Sequence, residues 1–240
     1  MNFNPETKMK QIVVDNPGAA RVFEEAGVDF CCGGDKSLKD ACAHADVSME
    51  EVVGRLRDNK TAVGASDVNW VNSPLSGLTR HIRDTHHRYV REAIPRVRGL
   101  LQKVKAKHGE NHPEIGDIEN LFLNLGQEMI MHMQKEEQIL FPYIEALERS
   151  ASGEGTLEPP FFVSVRNPIH AMMKEHDSAG SLVKQIREAS SGYAPPGDAC
   201  SSYQALYVKL REFEADLHQH VHLENNILFP RAVEMEAATA

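Results

Sequence analysis

The sequence predicts an all-α protein in which a small helical domain precedes an up-down-up-down four-helix bundle. Apolar residues recur at helical spacing along almost the whole chain, and no alternating strand pattern of useful length is present. Stretches rich in Gly, Pro and Ser interrupt this periodicity at about 59–74, 150–168 and 190–198. The four long periodic segments are 74–107, 115–149, 168–190 and 200–236. We therefore expect a small domain at 1–58, a linker at 59–73 and the bundle at 74–240.

The composition excludes several classes of protein. A net charge of −9 argues against nucleic acid as a partner, because phosphate binding needs a basic face. The chain has no apolar run of about 18 residues that would span a membrane, and its N-terminus lacks the core of a signal peptide. Two of its four cysteines are adjacent, which is unlike a secreted disulfide framework. A cytoplasmic protein is expected.

Three short helices are predicted in the small domain. Their start and end signals are Asn16-Pro17, Gly27, Ser37 and Ser48. Cys31-Cys32-Gly33-Gly34 forms the loop before the second helix. Backbone N–H groups at a helix start and at a Gly-Gly turn can lower the pKa of a thiol.

An internal repeat organises the bundle. The sequence from His132 to Pro142 recurs, 88 residues later, as His220 to Pro230, and both copies read His-x-x-x-Glu-x-x-Ile-Leu-Phe-Pro. The preceding helices match as well, since His81 and His87 are six residues apart and so are His170 and His176. The bundle therefore contains one helix-hairpin unit twice.

The repeated His and Glu residues fall on the apolar faces of their helices. Residues four apart share a helix face, and the stripe of the second bundle helix runs through Met129, His132, Glu136 and Ile139. In the third helix the stripe includes Met173 and His176. A buried ionised carboxylate costs several kcal/mol or more unless it is paired or bound to a metal. Buried His–Glu pairs that satisfy each other are the alternative, but two symmetric copies favour metal.

The donor set indicates which metal binds. Four His and two Glu residues without a thiolate suit iron or manganese better than copper(I) or structural zinc. Two carboxylates shared by two ions give a dinuclear site with open positions for O₂ or NO. In the first bundle helix His86 and His87 cannot both face inward on a regular helix; the helical wheel favours His86, whereas the repeat selects His87. The predicted ligands are His87, His132, Glu136, His176, His220 and Glu224.

With these residues in place, the chain resembles the iron–sulfur cluster repair di-iron proteins, the repair-of-iron-centres family, over nearly its whole length. The motifs that carry the resemblance are Asp29 to Gly34, Thr85 to Tyr89, His132 to Pro142, Glu175 to Asp177 and His220 to Pro230. The resemblance implies a haemerythrin-like bundle holding two non-haem iron ions on the same six ligands, bridged by Glu136 and Glu224. It also implies that Glu128 lies beside the metal site.

The other histidines are expected to have lesser roles. His81 and His170 lie outside the six ligands implied by the resemblance and are interpreted as packing groups or as neighbours of the metal site. The remaining histidines are expected at the surface: His44, His108, His112, His218 and His222.

The resemblance gives Cys31 and Cys32 a role in thiol or iron transfer, although two small buried residues at a Gly-rich turn would also fit the motif. Cys42 and Cys200 are expected to be structural.

Three functions remain open at this point. The chain could deliver iron from a labile di-iron centre to iron–sulfur proteins damaged by nitrosative or oxidative stress, which would make it a redox-active repair protein rather than a conventional enzyme. It could instead bind and reduce NO or turn over peroxide. It could also be a sensor or O₂-binding protein, which the Cys-Cys-Gly-Gly domain disfavours. A homodimer through the small domain is plausible.

Overall fold

The computed structural model describes residues 4–16, 18–31, 33–58 and 69–239. The described residues form helices and loops with one isolated antiparallel bridge, between Lys8 and Ser37, which confirms the all-α class. Short helices make up the small domain: α1 (Met9–Asp15), α2 (Ala19–Glu25), α3 (Leu38–His44) and α4 (Met49–Asp58). The bundle comprises α5 (Leu75–Ile82), π1 (Arg83–His87), α6 (Arg88–His108), α7 (Glu114–Lys135), π2 (Glu136–Leu140), α8 (Phe141–Ala151), α9 (Arg166–Ala189), α10 (Ser201–Leu223), π3 (Glu224–Leu228) and α11 (Phe229–Thr239).

Two of the predicted helix signals of the small domain, Ser37 and Gly27, act as expected. Ser37 accepts a hydrogen bond from the Asp40 N–H at the start of α3, and Gly27 follows α2 with a φ of 69° in the left-handed region. Helix α1 was not predicted; it has seven residues and no side-chain cap, and it is held by the burial of Met9, Ile12 and Val13. Pro17, Cys32 and most of the predicted linker, 59–68, lie outside the described residues.

Four long helices form the bundle, close to the predicted segments. The first is α5–π1–α6, the second α7–π2–α8, the third α9 and the fourth α10–π3–α11. Helix α6 packs against α7 and α10, α7 packs against α9, and α8 packs against α5 and α11. Short connections between consecutive helices give the up-down-up-down order.

Each copy of the repeat also supplies the cap of its own first helix. Glu148, at the end of the second helix, accepts hydrogen bonds from the backbone N–H groups of Leu75 and Ser76. Its counterpart 88 residues later, Glu236, accepts one from the N–H of Val165 at the start of α9. These N–H groups have no partner within their own helices, so both carboxylates stabilise a helix start.

Three π-turns interrupt the bundle helices beside the predicted ligands. The N–H groups of Arg88, Phe141 and Phe229 each bond to the carbonyl five residues earlier, at Arg83, Glu136 and Glu224. A π-turn widens the helix by one residue and rotates the residues that follow it.

The widened turns overturn expectations based on the regular helical period. The inference that only one of His86 and His87 faces inward is wrong: both are buried, at 7% and 0% exposure, since they end π1. Ile139 is 38% exposed, and Leu140 takes its place in the core. Helix α9 has no π-turn, and there the expected burial of Met173 is wrong for another reason: Met172 fills the core position (3% exposed) and Met173, the next residue, is 40% exposed.

The small domain lies on the α9–α10 side of the bundle. The ring of Phe30 meets the rings of His218 and His222 edge-on, at centroid distances of 6.3 and 5.8 Å. The Asn226 side chain donates a hydrogen bond to the carbonyl of Phe30 (3.2 Å). This contact places the Cys31 loop above the helices that carry His176 and His220.

Candidate metal centre

The predicted ligands are brought together in the core of the bundle. Helices α7, α9 and α10 supply three histidines, and π1, π2 and π3 supply the fourth histidine and the two glutamates. All six side chains are buried, with no more than 2% of the residue exposed: His87, His132, Glu136, His176, His220 and Glu224.

The donor atoms form two overlapping groups. One contains His87 and His220 and the other His132 and His176, and both include Glu136 and Glu224; within each group the donor atoms lie within 4.8 Å of one another. The Nε2 atoms of His87 and His132 are each 3.3 Å from Oε2 of Glu136. Because both glutamates belong to both groups, each carboxylate can bridge two ions.

Unsatisfied polar atoms show that these residues fit a pair of cations. Among the described residues, both carboxylate oxygens of Glu136 and Oε2 of Glu224 are buried without a hydrogen-bond partner. The Nε2 atoms also converge in pairs, 3.2 Å apart for His87 and His220 and 3.0 Å apart for His132 and His176. Two bound cations would satisfy the carboxylates and give each histidine pair a common partner.

The electrostatics of the pocket keep the two carboxyl groups ionised. Burial and the neighbouring glutamate raise the pKa of Glu136, but His132 and His87 outweigh them and the net shift is downward. The pKa of Glu224 is well below its usual value, because His220 and His176 outweigh its burial. Burial opposes the imidazolium of His132, yet Glu136 and other carboxylates raise its pKa to about 10. For His220, burial prevails and the pKa falls.

The Nδ1 atoms of three ligand histidines are held from outside the centre. Glu137 lies 2.7 Å from Nδ1 of His87, and Glu175 lies 2.9 Å from Nδ1 of His132. The third contact joins Nδ1 of His176 to Oδ1 of Asn225 at 2.9 Å. Such contacts fix the ring orientation and direct Nε2 towards a metal.

These three partners were not predicted, although the sequence holds a signal for each. Glu137 and Asn225 directly follow the two glutamate ligands at equivalent positions of the repeat, and Glu175 directly precedes His176.

The other residues singled out in the sequence have different environments. Nδ1 of His86 lies 2.9 Å from Asp216, and the His86 ring stacks on that of His220 at 5.8 Å. His81 stacks on Trp70. The remaining candidate for a neighbour of the metal, His170, is exposed.

Glu128 is exposed and accepts a hydrogen bond from Ser178 (2.9 Å). The carboxylates that contact ligand histidines are Glu137 and Glu175 instead. The expectation that the remaining histidines are all at the surface is wrong for His108 and His222, which are 8% and 4% exposed.

The Cys31 loop is organised by Asp29. Its carboxylate accepts hydrogen bonds from the N–H groups of Cys31 (3.0 Å) and Gly33 (2.9 Å), so these donors are engaged by Asp29 rather than by the thiol. Cys31 is 5% exposed. Its neighbour Cys32 lies outside the described residues.

A cavity of about 400 Å³ lies between the small domain, α9 and α10. Cys31 and the ligand His176 both line it, and Lys184, Arg187 and Glu214 contribute charged groups. The small domain and the candidate centre therefore line the same cavity.

Comparison with known proteins is informative for both parts of the chain. Residues 78–232 match the family described as "Hemerythrin HHE cation binding domain", and residues 5–60 match a "Domain of Unknown function (DUF542)". The chain is 34% identical to the "Probable iron-sulfur cluster repair protein" of Haemophilus influenzae, over 95% of this chain and 97% of that protein. It is also 34% identical to the "Iron-sulfur cluster repair protein YtfE" of Pectobacterium atrosepticum, over 96% and 98% of the two chains. The protein of that name in Yersinia pseudotuberculosis is 33% identical over 92% and 93%.

None of the helices in the described part of the chain is both long and apolar enough to cross a membrane.

Proposed function

The chain belongs to the family of iron–sulfur cluster repair proteins that carry a haemerythrin HHE domain, and from this membership we propose that it repairs clusters by supplying iron from the buried His–Glu centre. The haemerythrin domain implies a di-iron site. The observation that carries the proposal is a set of three buried carboxylate oxygens without a hydrogen-bond partner among the described residues, namely both oxygens of Glu136 and Oε2 of Glu224. Each of these two carboxylates lies between two pairs of histidines.

In this proposal His87, His132, Glu136, His176, His220 and Glu224 hold the two irons. Glu136 and Glu224, which belong to both donor groups, would be shared by the two ions, and bound iron would supply exchangeable positions for NO or O₂. The chain keeps the carboxylates ionised, orients the histidine rings through Glu137, Glu175 and Asn225, and excludes bulk water. A site built from two shared carboxylates and only four imidazoles should release iron more readily than one with more nitrogen ligands.

Cys31 and Cys32 are proposed to relay iron or to dock the damaged protein. Support comes from the cavity that Cys31 and His176 both line. Residues 1–58 would act as the relay domain and 74–240 as the iron store, joined by the tether at 59–73. The partners would be damaged iron–sulfur proteins of the cytoplasm. A homodimer through the small domain belongs to the same proposal.

The first experiment measures metal per chain in anaerobically purified protein. About two irons per chain are expected, with both lost in His132→Ala and Glu224→Ala. Zinc, or no metal in protein from iron-replete cells, would contradict the assignment.

The second experiment measures repair. Iron-loaded protein should restore an NO-damaged iron–sulfur enzyme faster than an equal concentration of ferrous iron. The double variant Cys31→Ala/Cys32→Ala should keep its iron but lose this advantage, whereas Cys42→Ala is the matched thiol control. Recovery with free iron but not with the loaded protein would refute delivery.

One observation also favours chemistry on small molecules, because the cavity reaching His176 is large enough for NO or O₂. In that alternative the centre reduces NO or peroxide, and repair is indirect. Many turnovers per centre with an electron donor would support it, and one turnover or fewer would favour iron delivery.

A further inference from the structure

A second cluster of metal-binding side chains lies at the other end of the bundle. His108 ends α6, His112 stands just before α7, and Asp198 lies in the loop before α10. His108 is 21 residues after the ligand His87 on the same helix, which is about 31 Å along its axis. This cluster is therefore separate from the di-iron centre.

The three side chains converge. Their donor atoms lie within 4.8 Å of one another. The His112 N–H bonds to the His108 carbonyl (2.8 Å), so the two residues are one helical turn apart and their rings lie on the same side. Nε2 of His112 is 3.0 Å from Oδ1 and 3.2 Å from Oδ2 of Asp198.

His108 carries an unsatisfied donor atom. The residue is 8% exposed, and its Nε2 atom is buried without a hydrogen-bond partner among the described residues. The alternative to a metal is a protonated His112 held between the carboxylates of Glu114 and Asp198, which would explain the contacts of His112. That alternative leaves Nε2 of His108 without a partner, which is costly for a buried polar atom.

The surroundings repeat the design of the di-iron centre. Nδ1 of His112 lies 3.0 Å from Glu114, as Nδ1 of His87 lies 2.7 Å from Glu137. In both places a carboxylate holds Nδ1 and leaves Nε2 directed at another carboxylate. This arrangement is the usual support of a metal-bound histidine.

Cys200 stands next to the cluster, at the N-cap of α10. Its thiol is only partly buried, and cysteine sulfur is a common ligand of transition metals.

We propose that His108, His112 and Asp198 form a second, mononuclear site for a divalent transition-metal ion such as zinc or ferrous iron. Two imidazoles and one carboxylate suit both ions. Water or the sulfur of Cys200 completes the coordination. The bound ion clamps the α6–α7 turn to the loop before α10, and so ties the two copies of the repeat together.

The test is a cobalt(II) titration of the iron-loaded, full-length protein, followed by visible absorption and by elemental analysis of iron and cobalt. The wild type should bind one cobalt per chain in addition to its iron. The variants His108→Ala, His112→Gln and Asp198→Asn should weaken this binding about 10-fold or more, while their iron content stays at the wild-type value. Glu110→Gln, an exposed neighbour, is the matched control and should bind like the wild type.

Several results would overturn the proposal. Cobalt could be taken up only as iron is lost, or no cobalt could bind. The variant His112→Gln could also bind cobalt as tightly as the wild type. Far-UV circular dichroism checks the fold of His108→Ala; the variants of the partly buried His112 and the exposed Asp198 keep the test valid if His108→Ala misfolds. Cys200→Ser reports on the fourth ligand, since sulfur ligation adds a near-ultraviolet charge-transfer band. Elemental analysis of protein from zinc-supplemented or iron-supplemented cells identifies which ion fills the site.

Discussion

At the scale of single residues, the four ligand histidines differ in what holds their Nδ1 atoms. Carboxylates hold His87 and His132, a neutral amide holds His176, and Nδ1 of His220 is buried without a partner among the described residues. The repeat explains the difference. Glu175 precedes His176 and serves His132, whereas its counterpart before His87 is His86, which contacts Asp216 instead. The two halves of the centre are therefore chemically unequal.

Removing the charge of a supporting carboxylate should weaken iron binding. Glu175 contacts His132 and Lys135, and the hydrogen bond with His132 is the main reason that the pKa of Glu175 falls to about 2. Loss of such a partner typically lowers metal affinity 10- to 100-fold, so Glu175→Gln should release iron to a chelator at least about 10-fold faster. Glu128→Gln is the matched control, since Glu128 is exposed and contacts Ser178. Equal rates in Glu175→Gln and Glu128→Gln would contradict the assigned role.

The unequal support also predicts two phases of iron release. The ion on His87 and His220 should leave first, because a ring whose Nδ1 has no acceptor is the weaker donor. Anaerobic chelation should therefore remove about one iron per chain quickly and the second slowly. Glu175→Gln should accelerate the slow phase selectively. A single phase that releases both ions would show that the asymmetry has no energetic consequence.

At this scale the sequence could predict which six side chains meet in the core of the bundle, but not the groups that support them. The six side chains repeat with fixed spacing on apolar helix faces, although in the first helix the helical wheel favours His86 and only the repeat selects His87. The partners of Nδ1 come from neighbouring helices and have ordinary surface residue types; their position next to a predicted ligand is a signal, but which ring each one contacts depends on the packing of the helices. His108 was missed for the same reason, since its neighbours Asp198 and Cys200 are about 90 residues away along the chain.

At the scale of secondary-structure elements, the helix ends were predictable and the π-turns were not. Caps and Gly/Pro-rich breaks act locally, so the predicted bundle segments end close to the observed helices. A π-turn departs from the period of 3.6 residues on which sequence analysis relies. Pro142 and Pro230, which lack an N–H, are the only hint of two of these turns. The π-turn that ends at His87 brings His86 inward as well, and the π-turn that begins at Glu136 brings Leu140 and Phe141 inward.

The capping carboxylates give a prediction for stability against pH. Burial raises the pKa of Glu148, but the side chain and N–H of Ser76 and the N–H of Leu75 outweigh it, and the net shift is downward. A carboxyl group with a depressed pKa stabilises the fold above its unfolded value and loses that contribution as the pH falls through its folded value. Glu148→Gln should therefore cost about 1 kcal/mol of unfolding free energy at pH 7, and the difference from the wild type should shrink below about pH 4.

Denaturant unfolding at several pH values measures this effect. Glu154→Gln is the control, because Glu154 is exposed in the loop after α8 and its side chain caps no helix there. If the cost of Glu148→Gln were the same at pH 7 and pH 3.5, ionisation of the carboxylate would not be the source of the stabilisation.

At the scale of the whole molecule, the position of the small domain determines where the loop that carries Cys31 lies relative to the candidate metal centre. Asn226, two residues after the ligand Glu224, donates to the Phe30 carbonyl and contacts Nδ1 of His222 at 2.9 Å. Burial lowers the pKa of His222 to about 4, so its ring stays neutral and can accept this bond. One short segment of the fourth helix thus supplies both Glu224, a proposed iron ligand, and the docking contact for the loop that carries Cys31.

Gly34 provides the sharpest test of this docking. A Cβ atom at Gly34 would lie 2.9 Å from Oδ1 of Asn226 and 3.3 Å from the Phe30 carbonyl oxygen. The Asn226 side chain would have to move and break its bond to Phe30. We therefore expect Gly34→Ala to loosen the small domain while leaving the iron content unchanged. Cys31, which is 5% exposed, should then react faster with a thiol reagent, as mapped by mass spectrometry.

The matched control is Gly54→Ala in α4, where an added Cβ would meet no atom within 4 Å. This change should stabilise the helix by about 0.5–1 kcal/mol and leave the reactivity of Cys31 as in the wild type. If Gly34→Ala left the Cys31 rate unchanged, the close approach at Asn226 would not be what holds the thiol loop against the bundle. If it accelerated the thiol reaction and slowed cluster repair at constant iron content, the docked position of the small domain would be a working part of iron transfer rather than only a packing contact.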